Sequence, residues 1–135
     1  MNLFTVATEL ADHIRVVLSR TDVGSPGSVS DPCAVVPLPV SLTFDQMYSR
    51  GQDMLLWEVL VIVSKIDDKR GLARMAEYAA GAGPKSIKAA IEGGEPYTAC
   101  GDVFVSGVEF DTVTWQGTDF QGALFTIEIR GRGLS

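Results

Sequence analysis

The chain is poor in the residues from which most enzymatic and metal chemistry is built. Its 135 residues include one histidine, His13, and two cysteines, Cys33 and Cys100. The cysteines lie far apart in sequence, and neither has a second ligand at metal-binding spacing, so the sequence offers no zinc motif. No basic region leads into an apolar core at the N-terminus, and without an export signal the expectation is two reduced thiols. Lys and Arg are missing altogether from Ala89 to Ile129, and the formal net charge is −6. That balance speaks against a dedicated nucleic-acid binder, whose affinity rests on neutralising phosphates. Long apolar runs are also lacking. The longest, Met54 to Val63, contains Glu58 and is too short and too rich in β-formers to span a membrane as a helix. There is no internal repeat and no low-complexity stretch.

What is present is enough for one folded domain. Hydrophobic residues make up 46% and charged residues 21% of the chain, and a chain of this length can bury a core without disulfide or metal staples. Residues 2–20 read as a helix, because Leu3, Val6, Ala7, Leu10, Ile14, Val17 and Leu18 recur at three- and four-residue steps. His13 lies off that stripe and reads as a surface helix residue. Thr21 to Asp31 has loop composition, with Gly and Pro as breakers. Cys33 to Val40 is extended, but Pro37 and Pro39 cannot donate to a ladder, so it reads as an edge strand or a strap over the sheet. The polar stretch 49–53 reads as a hairpin connection.

The strand from Met54 to Ser64 is apolar on both alternating faces, which calls for cover on both sides. Helices explain one cover, and the other is a further layer or another subunit. Asp67-Asp68 opens a predicted helix that closes at Gly81, and Pro84 suits the first turn of a second that ends at Gly93-Gly94. Val103 to Trp115 and Asp119 to Arg130 then read as an antiparallel pair joined near Gly117, with a bulge expected at Gly107. The predicted fold class is α+β: a single small domain with a mixed or antiparallel β-sheet, an N-terminal helix and two short helices packed on it.

A search for chemistry returns little. No serine sits in a nucleophile-elbow setting, and His13 is the only imidazole base for either thiol. Gly81-Ala82-Gly83-Pro84-Lys85-Ser86 superficially suggests a phosphate loop. A phosphate loop has four residues between its glycines and follows a buried strand, whereas this segment follows a helix. Glu109 and Asp111 share one strand face and could hold a cation or act as an acid–base pair, or could simply be a solvated face. Trp57 reads as core and Trp115 as a turn aromatic available for protein contact. Charge, in contrast, is segregated. Lys65, Lys69, Arg70, Arg74, Lys85 and Lys88 cluster before Ala89, and Glu92, Glu95, Asp102, Glu109, Asp111, Asp119 and Glu128 follow it. Two solvated faces account for this, as do complementary patches that meet between copies of the chain.

The order of elements carries a resemblance. Trp57-Glu58-Val59-Leu60-Val61-Ile62-Val63 leads to Asp67-Asp68, then Leu72 to Tyr78, then Gly81-Ala82-Gly83-Pro84-Lys85-Ser86-Ile87-Lys88-Ala89-Ala90-Ile91-Glu92-Gly93. Val103 to Phe110, the Gly117 turn and Ala123-Leu124-Phe125-Thr126-Ile127-Glu128-Ile129 close it. This resembles the tail terminator family of long-tailed, siphovirus-type actinobacteriophages over about residues 1 to 130. Pro84-Lys85 stands where the family more usually has a small or polar pair, and the likeness lies in order and spacing rather than in one motif.

The resemblance implies a non-enzymatic virion protein without cofactor or metal, whose copies close into a hexameric ring at the head–tail interface. Such a ring caps the tail tube, stops its polymerisation and meets head-completion or connector proteins. DNA passes through its lumen without specific binding, and no membrane is involved. Assembly would take place in the host cytoplasm. The residues expected at contacts between subunits or with partners are Arg50, Lys69, Arg70, Arg74, Lys85, Lys88, Glu109, Asp111, Trp115, Arg130 and Arg132. The alternatives are another head–tail connector or minor tail protein, or a small α+β ligand-binding domain or enzyme using Glu109, Asp111 and Trp115.

Overall fold

A computed structural model describes residues 3–24, 33–37, 39–43, 52–65, 71–93, 97, 100–115 and 117–132, with Thr43, Gln52, Asp53, Lys65, Leu72, Trp115 and Arg132 as backbone positions. Over these described residues the fold is α+β, with three helices and a mixed sheet of six strands. The elements run α1 (Leu3–Arg15), β1 (Thr21–Val23), β2 (Cys33–Val36), β3 (Ser41–Thr43), β4 (Gln52–Lys65), α2 (Gly71–Ala79), α3 (Ile87–Gly93), β5 (Val103–Trp115) and β6 (Thr118–Arg132).

The sheet is organised on the three long strands β4–β6–β5, antiparallel throughout, with β6 between the other two. Period-two alternation places Leu55, Trp57, Val59, Val61 and Val63 on one face of β4, all 1% exposed or less. Ala123, Phe125, Ile127 and Ile129 of β6 lie in register beside them, fully buried. The helices close over this face: Val6, Leu10 and Ile14 of α1, Met75 and Tyr78 of α2, and Ile87 and Ile91 of α3 join the same core. At about 1.5–3 kcal/mol for each large side chain removed from water, this one layer dominates the stabilisation.

The β5–β6 ladder runs to the pair Trp115–Thr118, leaving two residues, 116 and 117, between the strands. Gly117 has φ +79°, the left-handed conformation that twisted two-residue hairpins require and glycine adopts without strain. Trp115 therefore pairs with Thr118 at the end of the ladder instead of standing in the turn. Gly122 has a different reason to be glycine: a Cβ there would lie 2.8 Å from Val113 Cγ2. The bulge expected at Gly107 is present, between Val105 and Gly107, and β4 has a second irregularity between Ile62 and Ser64.

Several sequence expectations are corrected. α1 stops at Arg15, not near residue 20, although Leu18 stays buried. The chain turns because the Arg15 guanidinium donates to the Thr21 carbonyl and Thr21 Oγ1 to that of Leu18. Thr21 to Val23, read as loop, forms β1 parallel to β2, and Gly24 N–H donates to Val36 O. Cys33–Val36 is consequently an interior strand and not an edge. β2 and β3 both pair with the same edge of β4, and Pro37 and Pro39 fall in the break between them, where no ladder donor is needed. Val40 N–H rejoins the ladder at Leu56 O, and the Trp57 indole donates to Pro37 O at 2.9 Å. α3 begins at Ile87, capped by Ser86, whose Oγ accepts from Ala89 N–H and donates to Ala80 O. Pro84 stands in the preceding turn. The Asp67-Asp68 cap and residues 49–51 of the hairpin connection lie outside the described residues.

Candidate functional site

The opposite face of the sheet has no helix packed on it among the described residues. Its inner corner is a small apolar cluster of Cys33, Ile62 and Phe120, with Leu60 and Val113 against it. The rest is open. Leu56 and Leu60 on β4 and Leu124 on β6 are half-buried, and Leu60 pairs in register with Leu124. Strand phase brings four carboxylates to the same face. Glu58 stands opposite Thr126, Glu109 opposite Leu124, Asp111 opposite Gly122, and Glu128 between Leu56 and Phe104. Glu109 and Asp111 thus share a face, as their spacing implied, and Glu58 and Glu128 join them only because β6 lies between β4 and β5. The one cation described on this face is Arg130, whose guanidinium lies 5.5 Å from the Phe104 ring centroid. Its Nε is buried without a hydrogen-bond partner.

The basic block does not behave as one patch. Lys85 Nζ lies 3.2 Å from Glu77 Oε2, tying the turn before α3 to α2. Lys88 pairs with Glu92 one helical turn on. Burial works against charge on the Glu92 carboxyl, but the hydrogen bonds from Lys88 and from the Val105 amide, with the Lys88 charge, outweigh it and hold its pKa below the ordinary range. Arg74 is half-buried on α2 and has a partner of its own. Arg50, Lys69 and Arg70 lie outside the described residues, and Arg132 is a backbone position at the end of β6.

Two apolar grooves flank the core. One, of about 420 Å³, lies where α1 crosses the proline break, between Leu3, Phe4, Ala7, Val23, Pro39 and Trp57. Phe4 is 73% exposed there. The other, of about 580 Å³, lies between α2 and the far end of β5, with Met75, Ala76, Phe110, Asp111, Thr112 and Gln121 around it. Glu109 is not among its lining residues, so the acid pair does not converge on it.

His13 is half-buried, not a surface residue: it stacks on Tyr97, ring centroids 4.1 Å apart and planes within 9°. Its Nδ1 lies 2.8 Å from the Glu9 carbonyl, which can only accept, so Nδ1 carries the proton. The Tyr97 hydroxyl donates to Ile91 O, and burial first, then the neighbouring Cys100 and Glu9, push its pKa up. Both cysteines are free thiols. Burial, with Glu9 and Asp102 nearby, raises Cys100 to about 11. Alkylation of folded protein by iodoacetamide should accordingly stay slow through pH 9 and rise towards pH 11. A rate rising around the ordinary thiol pKa, followed by mass spectrometry of the Cys100 peptide, would contradict this environment. The folded state holds this proton more tightly than the unfolded chain. Its stabilising contribution is therefore complete below the ordinary thiol pKa and fades as pH climbs through about 11.

No protein-family model matches the chain, and no curated protein matches it in sequence.

Proposed function

We propose that the chain is a virion structural subunit, a tail terminator whose copies close into a ring on the tail tube. The observation that carries this reading is the helix-free sheet face, where Leu56, Leu60 and Leu124 stand half-buried among Glu58, Glu109, Asp111 and Glu128. The sequence of β4 calls for cover on that face, and in the described residues its own chain supplies none. A neighbouring copy is the cover that fits a repeating assembly, and a ring needs unlike surfaces on the two sides of each subunit. The resemblance in element order supports the identity of that assembly. Carboxylates left uncovered in such a ring would repel DNA phosphates and let the duplex slide.

The groove beside Phe110 favours a second reading, a small ligand-binding domain, since its volume is in the range of ligand pockets. Negative-stain imaging and native mass spectrometry of the purified protein, alone and with tail tubes, separate the two. Rings that sit on tube ends are expected. A monomer that ignores tubes at every concentration would end the terminator reading.

A further inference from the structure

Among the described residues β5 is an edge strand for its whole length, paired with β6 on one side only. An edge of thirteen residues is a template for another strand unless something blocks it. Two of its amides are already taken. Val105 N–H donates to Glu92 Oε2 of α3 at 2.8 Å, and Thr112 N–H to the carboxylate of the adjacent Asp111 at 2.7 Å.

These two contacts belong to one device. In an antiparallel ladder, alternate residues turn their amides towards the partner strand and away from it. Val105 and Thr112 are of opposite parity, so a regular strand could not turn both outward. The bulge between Val105 and Gly107 inserts one residue and shifts the parity. On the β6 side, Gly101 N–H donates to Arg130 O and Arg130 N–H to Asp102 O, which fixes even-numbered β6 residues as those facing β5. Thr126 faces Gly107 in register, leaving Val108, Phe110, Thr112 and Thr114 with amides on the free edge. The same shift keeps Val108 and Phe110 on the helix side, where Val108 packs against the core.

We infer that β5 is a guarded edge: Glu92 and Asp111 hold its outward amides at two points on either side of an unguarded Val108–Phe110 stretch, and so keep copies of the chain from adding strand to strand there. The occupant excluded is a second copy of β5. The carboxylates of Glu109 and Asp111, with no Lys or Arg from Ala89 to Ile129, would also face their own kind across a β5–β5 pair. Lys88 fixes the Glu92 guard through its ion pair. The inference does not rest on the terminator reading, because it concerns a contact that a ring would also have to avoid.

The test compares wild type, Glu92→Ala/Asp111→Ala and Glu92→Gln/Asp111→Asn by sedimentation velocity over a concentration series, with amide hydrogen exchange on β5. The alanine pair is expected to self-associate about tenfold more tightly than wild type, the equivalent of roughly one or two net hydrogen bonds gained between edges. Its Val108, Phe110 and Thr112 amides should become protected as concentration rises. The amide pair, which keeps both acceptors but loses the two charges, should associate less than the alanine pair and more than wild type. Adding Thr112→Pro, which removes an edge donor, should reverse the association. Asp111 is exposed, so Asp111→Ala alone carries the test should the double variant fail to fold, with a smaller shift in the same direction. Unchanged association and unprotected β5 amides in the folded alanine variants would overturn the guard. A neighbour packed on the sheet face would give the outward β5 amides no ladder partner, so protection of Val108, Phe110 and Thr112 that appears in the alanine variants and not in wild type is the signature of β5–β5 pairing, with or without rings.

Discussion

Trp57→Ala should lower the stability of the fold by about 3–5 kcal/mol, the cost of deleting a buried aromatic side chain from a packed core. Trp57 is 1% exposed and sits at the centre of β4, opposite Ile127 and under the helical layer. It also holds the proline break in place. Its indole N–H is the partner of the Pro37 carbonyl, so truncation releases the link between β2 and β3 as well as opening a cavity. A domain of this kind has roughly 5–15 kcal/mol in total, so the loss is a third of it or more. Urea unfolding followed by circular dichroism should show the midpoint fall with an unchanged slope. Trp57→Phe separates the two contributions, since it keeps most of the volume and loses the hydrogen bond, and it should cost about 1–3 kcal/mol. A Trp57→Ala midpoint equal to that of wild type would mean that the proline break is not anchored through this residue.

The parts of this architecture that could be read from the sequence are those with long, regular patterns. β4, β5 and β6 are each more than ten residues long; β4 shows as a continuous apolar run, β6 as an alternation, and in β5 Gly107 interrupts the rhythm at the place where the register shifts. The first helix was legible as an apolar stripe, but Val17 and Leu18 continue that stripe beyond the point where Arg15 turns the chain back. β1 was illegible, because its three residues have loop composition and become a strand only through their ladder with β2. The prolines announced an interruption correctly, yet could not say that the two halves on either side share one edge of β4.

For the candidate surface the division is similar. Glu109 and Asp111 could be placed on one face from their spacing alone. That Glu58 and Glu128 share it depends on the strand order β4–β6–β5, which no local pattern encodes. The basic cluster could be read as a block of like charge, but not which of its members have carboxylates of their own chain beside them. Glu77 meets Lys85 only in the folded chain, whereas the Lys88–Glu92 step of four residues was there to be read. The stacking of His13 on Tyr97 likewise joins segments that only the fold brings together.

Charging the centre of the helix-free face should dissolve the proposed ring while leaving the subunit folded. Leu60 and Leu124 are cross-strand neighbours, half-buried, and flanked by Glu58 and Glu109. Lysines at both positions can reach water and find carboxylates nearby, so the isolated subunit should lose only about 1–2 kcal/mol of stability. A neighbour packed on this face would meet two ammonium groups in place of two apolar anchors, and desolvating them without new partners costs several kcal/mol. The fraction of protein in rings should then fall by more than about tenfold, since 1.4 kcal/mol already gives that factor. Leu60→Lys/Leu124→Lys, checked for folding by circular dichroism and for assembly by native mass spectrometry and negative stain, gives the readout. Arg74→Glu, on the helical side of the subunit, asks whether the opposite surface is the complement: in a head-to-tail contact both variants lose rings, and mixing the two restores only open dimers, because each retains one intact face. Full ring content in the leucine variant would remove the sheet face from the assembly and leave the helical side and the proline break as the surfaces through which copies meet.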